Sequence, residues 1–127
     1  MSAVPPIIQA VDGCIVTRLI VDDSFTLTLC GIDREVVLRI DGRGVLTSAG
    51  EEQPIDPDRD PATAAAMLKL LNRRVDAIRL ASDGGLTLEC GDAALHVPPS
   101  EHTLSWSMRG PDGMRASCLA EGRVVWE

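Results

Sequence analysis

The chain has no tyrosine, one phenylalanine and two tryptophans in 127 residues, and aromatic side chains make up 2% of it. Any core must therefore be aliphatic, and a tyrosine acid, base or ligand contact is ruled out. Lysine is nearly missing as well. Lys69 is its single instance, every other basic residue is arginine, and Arg73–Arg74 is the lone adjacent basic pair. With 12 basic against 19 acidic residues the formal charge is -7. Phosphate backbones are held by basic stripes, so a nucleic-acid partner is not expected. No apolar run reaches the length of a membrane-crossing helix, and Met1–Pro6 has no basic or long apolar stretch of a signal peptide, so no membrane is expected as a partner.

The four cysteines, Cys14, Cys30, Cys90 and Cys118, form no C-x-x-C pair. Zinc-ribbon and thioredoxin patterns fail on that spacing, and free thiols in a reducing cytoplasm are the expectation. Nucleotide-binding glycine motifs and a G-x-S-x-G nucleophile elbow are also missing. Asp56, Asp58 and Asp60 resemble the opening of a calcium loop. Its glycine and glutamate positions hold Pro61 and Met67, so an acidic loop is the reading. His96 and His102 lack a fixed third ligand. No catalytic residue, metal or cofactor is assigned.

What remains is 45% hydrophobic and 24% charged, the composition of one globular domain over 1–127. Turn signals recur at Asp22–Ser24, Gly31–Asp33, Asp41–Gly44, Asp83–Gly85, Gly91–Asp92, Pro111–Gly113 and Glu121–Gly122. Short aliphatic and threonine-rich runs lie between them, as in Phe25-Thr-Leu-Thr-Leu29. This pattern predicts antiparallel hairpins. One helix is predicted over 61–72: Asp60 caps it, Pro61 opens it, Ala64, Met67, Leu68 and Leu71 form its apolar stripe, and Asn72 ends it. The acidic stretch 49–60, with Pro54 and Pro57, reads as a connecting loop.

The flanks of that helix resemble each other at an offset of 59: Leu27-Thr-Leu29 against Leu86-Thr-Leu88, and Val36 and Leu38 against Leu95 and Val97. The expectation is α+β, predominantly antiparallel β. Two three-stranded meanders from an internal duplication (about 14–48 and 73–108) are joined by the loop and helix and followed by C-terminal hairpin strands. An extra residue in the first strand of each copy predicts a β-bulge in both.

Several residues carry a resemblance: Leu68-Lys-Leu-Leu-Asn72, Asp83-Gly-Gly-Leu-Thr-Leu-Glu89, Val97-Pro-Pro99, Trp106, Gly110-Pro-Asp-Gly113, Cys118-Leu119, Gly122 and Trp126. In this order, over roughly 13–127, they resemble an actinobacterial family of small proteins known as a domain of unknown function. Thr103-Leu-Ser105 stands where that family has Tyr-Glu-Ala, so any role of its glutamate does not transfer. The resemblance implies a fold and supplies no catalytic residue.

Function is therefore sought in binding. The leading expectation is a non-catalytic cytoplasmic protein-binding module, immunity-like in size and acidity. Its partner is a basic protein or a second copy, as in a homodimer. The contact residues are Glu51, Glu52, Asp56 and Asp58 in the acidic loop, with Trp106 and Trp126 as anchors. The alternative is a homodimer holding a small apolar or acidic molecule between its sheets, with strand arginines such as Arg18, Arg39 and Arg79. An enzyme using a cysteine or histidine ranks third.

Overall fold

Strict alternation of apolar and polar side chains gives most strands one buried face and one wet face. The computed structural model describes residues 4–127. Its strands are β1 (Ile15–Val21), β2 (Phe25–Gly31), β3 (Arg34–Ile40), β4 (Gly44–Ser48), β5 (Glu51–Ile55), β6 (Ala77–Leu80), β7 (Leu86–Cys90), β8 (Ala93–Val97), β9 (Trp106–Arg109), β10 (Arg115–Cys118) and β11 (Val124–Trp126). They form a six-stranded sheet in the order β1-β2-β3-β9-β10-β11 and a five-stranded sheet in the order β5-β4-β8-β7-β6. Every neighbouring pair is antiparallel. The architecture is α+β and mostly antiparallel β.

Each meander passes its next strand to the opposite sheet. After β1-β2-β3 the chain crosses and β4 pairs with β8; after β6-β7-β8 it crosses back and β9 pairs with β3. Inward side chains of both sheets then join one core, including Leu27, Leu38, Leu46, Leu88, Leu95 and Trp106, all fully buried. Each aliphatic side chain so buried contributes about 1.5–3 kcal/mol. A cleft between the sheets is therefore filled, and Arg18, Arg39 and Arg79 stand outside it, exposed.

The 59-residue offset reappears in the pairing. Leu27 opposes Leu38 and Leu29 opposes Val36, as Leu86 opposes Val97 and Leu88 opposes Leu95. The first strands differ: Leu19 lies opposite Leu27, whereas Ile78 lies opposite Leu88. A slip of two residues keeps the same side chains inward, so the core tolerates it. The bulge falls between Val16 and Arg18 of β1, whereas β6 pairs without a break. The expectation of a bulge in both copies is corrected on that point.

Between the halves, 3-10 turns at Pro61–Thr63 and Leu68–Leu70 flank helix α2 (Ala64–Met67), and a further helix, α1 (Ile7–Val11), precedes β1. Because a 3-10 turn repeats every three residues, Ala64, Met67 and Leu70 share the buried face and Leu68 is exposed. The stripe read from the sequence is thus off at its end. Asp60 offers its backbone carbonyl, not its side chain, to Thr63, while Asn72 ends the segment at φ +65. The stretch 49–60 is not all loop. Residues 51–55 are the edge strand β5, where Pro54 is tolerated because an edge needs no second donor. Beyond α2 the Val75 amide donates to the Cys14 carbonyl (2.7 Å) and the Val16 amide to the Arg73 carbonyl (2.9 Å), tying β1 to the approach of β6.

Candidate functional site

The wet face of the six-stranded sheet carries two rows of side chains across its strands. One row runs Ile20, Thr26, Arg39, Ser107, Ser117, Val125; the next runs Arg18, Thr28, Val37, Arg109, Arg115. The first row contains no carboxylate, and the second continues past Arg115 to Glu127, whose backbone exchanges two hydrogen bonds with that of Arg115. Arg109 and Arg115 are direct cross-strand partners flanking the Gly110-Pro-Asp-Gly113 turn. Like charges placed so cost stability rather than add it, by about 0.2–1 kcal/mol. Among the described residues neither has a carboxylate within ion-pair distance. Both line a shallow depression of about 360 Å³ with Thr26, Arg39, Ser107 and Ser117.

Arg39 is oriented from behind. Its Nε donates to Asp41 Oδ1 at 3.1 Å, leaving the other guanidinium nitrogens for the depression. Asp41 Oδ2 is buried and has no hydrogen-bond partner. The face therefore offers guanidinium and hydroxyl donors, a set that can receive an anion.

The residues chosen from sequence are scattered. Glu51 and Glu52 are exposed on β5. Asp56 is half-buried and bound into its own loop: its amide donates to Thr63 Oγ1 (2.8 Å), and its Oδ1 accepts the Arg59 amide (3.2 Å). Asp58 is exposed beside Arg43 and Arg59, which mix the sign of charge there. Trp106 is fully buried and is not a contact residue; its Nε1 donates to the Gly84 carbonyl at 3.0 Å. Trp126 is 40% exposed on the edge strand β11, beside Val4, Pro5, Leu80 and Val124. Arg109 and Arg115 were overlooked because their meeting with Arg39 depends on the β3–β9 pairing. The available local signal was two arginines placed symmetrically about one turn.

Elsewhere, the Asp22 carboxyl is held below the usual range by the amide and hydroxyl of Ser24, and that of Asp92 by the Arg73 guanidinium. Burial, with Asp76 nearby, pushes the Cys90 thiol up to about 11. His96 stands on the wet face of the five-stranded sheet, its Nδ1 3.0 Å from Thr87 Oγ1. Among the described residues no helix is long and apolar enough to cross a membrane.

Much of the motif-bearing second half gathers around Trp106. Gly84, which accepts its indole N–H, lies against the backbone of Gly122, and Gly122 in turn lies against the Asp83 carbonyl and Pro99. The Glu121 amide donates to the Ser100 carbonyl at 2.7 Å. Residues 83–85, 97–106 and 118–123 thus form a clamp whose role is packing. Fold and face together define a two-sheet α+β protein with an arginine-lined depression on the wet face of one sheet. The model of a family of unknown function (DUF6188) matches residues 7–127, and the chain belongs to that family. Comparison with curated proteins and with solved structures returns no match in either.

Proposed function

We propose that this protein is a non-catalytic binding module that receives an acidic segment of a partner protein on the wet face of its six-stranded sheet. The observation carrying this reading is the juxtaposition of Arg39, Arg109 and Arg115 on one depression with Thr26, Ser107 and Ser117, two of the arginines outside any ion pair among the described residues. Ile20 and Val125, each about two-fifths exposed, end one of the two rows and supply apolar contact for an extended chain. A reducing, cytoplasmic setting fits the four unpaired cysteines.

The geometry favours an acidic partner over the basic one read from net charge, because the arginines converge and the carboxylates do not. Glu51 and Glu52 line an edge, while Asp58 sits among arginines. Fluorescence anisotropy with a glutamate-rich and an arginine-rich peptide tests this. The expected result is salt-sensitive binding of the glutamate-rich peptide, lost in Arg109→Glu/Arg115→Glu and retained in Arg79→Glu. Binding of the arginine-rich peptide alone, lost in Glu51→Lys/Glu52→Lys, would overturn the reading in favour of a basic partner. Light scattering across a concentration series identifies the case in which the acidic partner is a second copy.

A further inference from the structure

We propose that the free edge of β1 is a self-association surface: two copies of this chain pair antiparallel through Arg18–Asp22 and join their six-stranded sheets. The surface is separate from the arginine-lined depression, so either reading can fail without the other.

An open edge strand is a template for another strand, and edges are commonly blunted by shortness, charge, proline or cover. The two sheets end in four edges. β5 carries Glu51, Glu52 and Pro54, β6 spans four residues with Arg79 exposed, and β11 spans three. β1 spans seven and has neither proline nor lysine. Its beginning is covered, because the Val16 amide donates to the Arg73 carbonyl and the Val16 carbonyl accepts the Asn72 amide. From Arg18 onward β1 has no neighbouring strand on its outer side among the described residues. Both faces of that stretch are apolar, with Ile20 42% exposed on the wet face and Val21 46% exposed on the other.

Val16 also sets the phase of the edge. Alternate residues of an antiparallel strand turn their amide and carbonyl to the same side. The bulge adds one residue between Val16 and Arg18, so Leu19 and Val21 are the next to turn outward. A second copy meets these groups when its Val21 lies opposite Leu19 and its Ile20 opposite Ile20. Repeated across the two-fold axis, this gives four backbone hydrogen bonds.

The side chains select the same register. Arg18-Leu-Ile-Val-Asp22 is complementary to itself read backwards. Arg18 meets Asp22, Leu19 meets Val21, and Ile20 meets its counterpart. Opposite charges and aliphatic pairs placed directly across two strands are stabilising. Centring the pair on Leu19 or on Val21 instead sets Ile20 against Arg18 or Asp22. Arg18 has no ion pair among the described residues. Asp22 holds the Ser24 amide and hydroxyl through Oδ1, which leaves Oδ2 for a guanidinium. Of the other charges nearby, Asp23 falls opposite uncharged Thr17. Arg39, near Asp22, and Arg74, opposite Ile15, are both basic. The paired Ile20 side chains stay on the wet face, and both depressions open on the same side of the joined sheet.

Sedimentation equilibrium of the full chain tests this from about 1 μM to about 1 mM, at about 0.15 M salt, where screening limits repulsion between two copies. A five-residue contact is small, so a reversible dimer is expected. Ile20→Lys and Arg18→Glu, both at exposed positions and so expected to fold, should each raise its Kd at least tenfold. Arg109→Glu/Arg115→Glu should leave it unchanged. Arg18→Glu and Asp22→Lys, each weakened alone, should dimerise when mixed, since each altered side chain then faces an opposite charge. In a Cys30→Ser background, Ile20→Cys should form a disulfide-linked dimer at least tenfold faster than Arg79→Cys on β6. Directly paired Cα atoms, about 4.5–5.5 Å apart, lie within disulfide reach. A monomer throughout the series overturns the proposal. A dimer indifferent to Ile20→Lys, or one lost in Arg109→Glu/Arg115→Glu, overturns it as well, and so does equal cross-linking through Arg79→Cys.

Discussion

Replacing Gly84 by alanine tests the clamp around Trp106. Gly84 has φ +94, and a Cβ there would overlap the carbonyl group of Gly122, which is backbone and has no rotamer to yield. Two costs add. An L-residue in the left-handed region loses about 1–2 kcal/mol. Overpacking against a fixed neighbour loses about 1–3 kcal/mol. If the turn opens to relieve the overlap, the indole N–H of Trp106 parts from the Gly84 carbonyl in a fully buried site, for about another 1 kcal/mol. Gly84→Ala should therefore cost about 3–6 kcal/mol. Gly50 is the control: its φ is +81 but a Cβ there meets nothing within 4 Å. Gly50→Ala should show only the backbone cost, about 1–2 kcal/mol. Urea unfolding followed by Trp106 fluorescence in a Trp126→Phe background measures both. Agreement of the two variants within about 0.5 kcal/mol would refute the packing argument.

Three other outcomes follow from the same geometry. In the native protein Ellman's reagent should modify one thiol quickly, half-buried Cys30, and reach Cys14, Cys90 and Cys118 only on unfolding; for Cys90, raised to about 11, roughly one molecule in a thousand is thiolate at pH 8. Asp92 has a depressed folded pKa, so its pairing with Arg73 stabilises above the unfolded value of about 3.9 and is lost as pH falls through the folded value. Asp92→Asn should accordingly melt below the parent at pH 7, with the gap closing in strong acid; a gap constant across a pH series of melting curves contradicts this. Fragments 1–60 and 61–127 should each lack a cooperative unfolding transition and regain β-sheet circular dichroism on mixing, because β4 needs β8 and β9 needs β3; a cooperative transition in either fragment alone contradicts the exchange.

Local pattern carried the meanders. Phe25-Thr-Leu-Thr-Leu29 and Leu86-Thr-Leu88 alternate as the structure buries them, and the offset of 59 survives in their register. What failed was information held between segments. Glu51-Glu-Gln-Pro-Ile55 has a loop's composition and becomes a strand because β4 supplies a partner on one side. Leu68 sits at helical spacing but turns outward once the last turn tightens. Helix α1 went unread, although Pro5-Pro6 ahead of Ile7-Ile-Gln-Ala-Val11 is an opening signal of the same kind as Asp60-Pro61. Net charge counts residues without placing them, and the acidic excess gives no sign that Arg39, Arg109 and Arg115 share one depression on the wet face of one sheet.

The motif residues and the candidate site belong to different surfaces of the same strands. On β9, Trp106 and Met108 face inward, while Ser107 and Arg109 face the depression. On β10, Ala116 and Cys118 are buried, and Arg115 and Ser117 are outside. The period of two that lets a strand build a core also frees its alternate positions from packing. A resemblance carried by Trp106, Gly110-Pro-Asp-Gly113, Cys118 and Gly122 therefore reports the clamp and the hairpin that set the strands in place. It says little about what the outward positions bind. Arginines at 39, 109 and 115 could be exchanged for other residues with the clamp intact. Substitutions on the wet face should therefore alter binding while shifting the melting temperature only by the like-charge repulsion relieved between Arg109 and Arg115 and the Arg39–Asp41 pair lost.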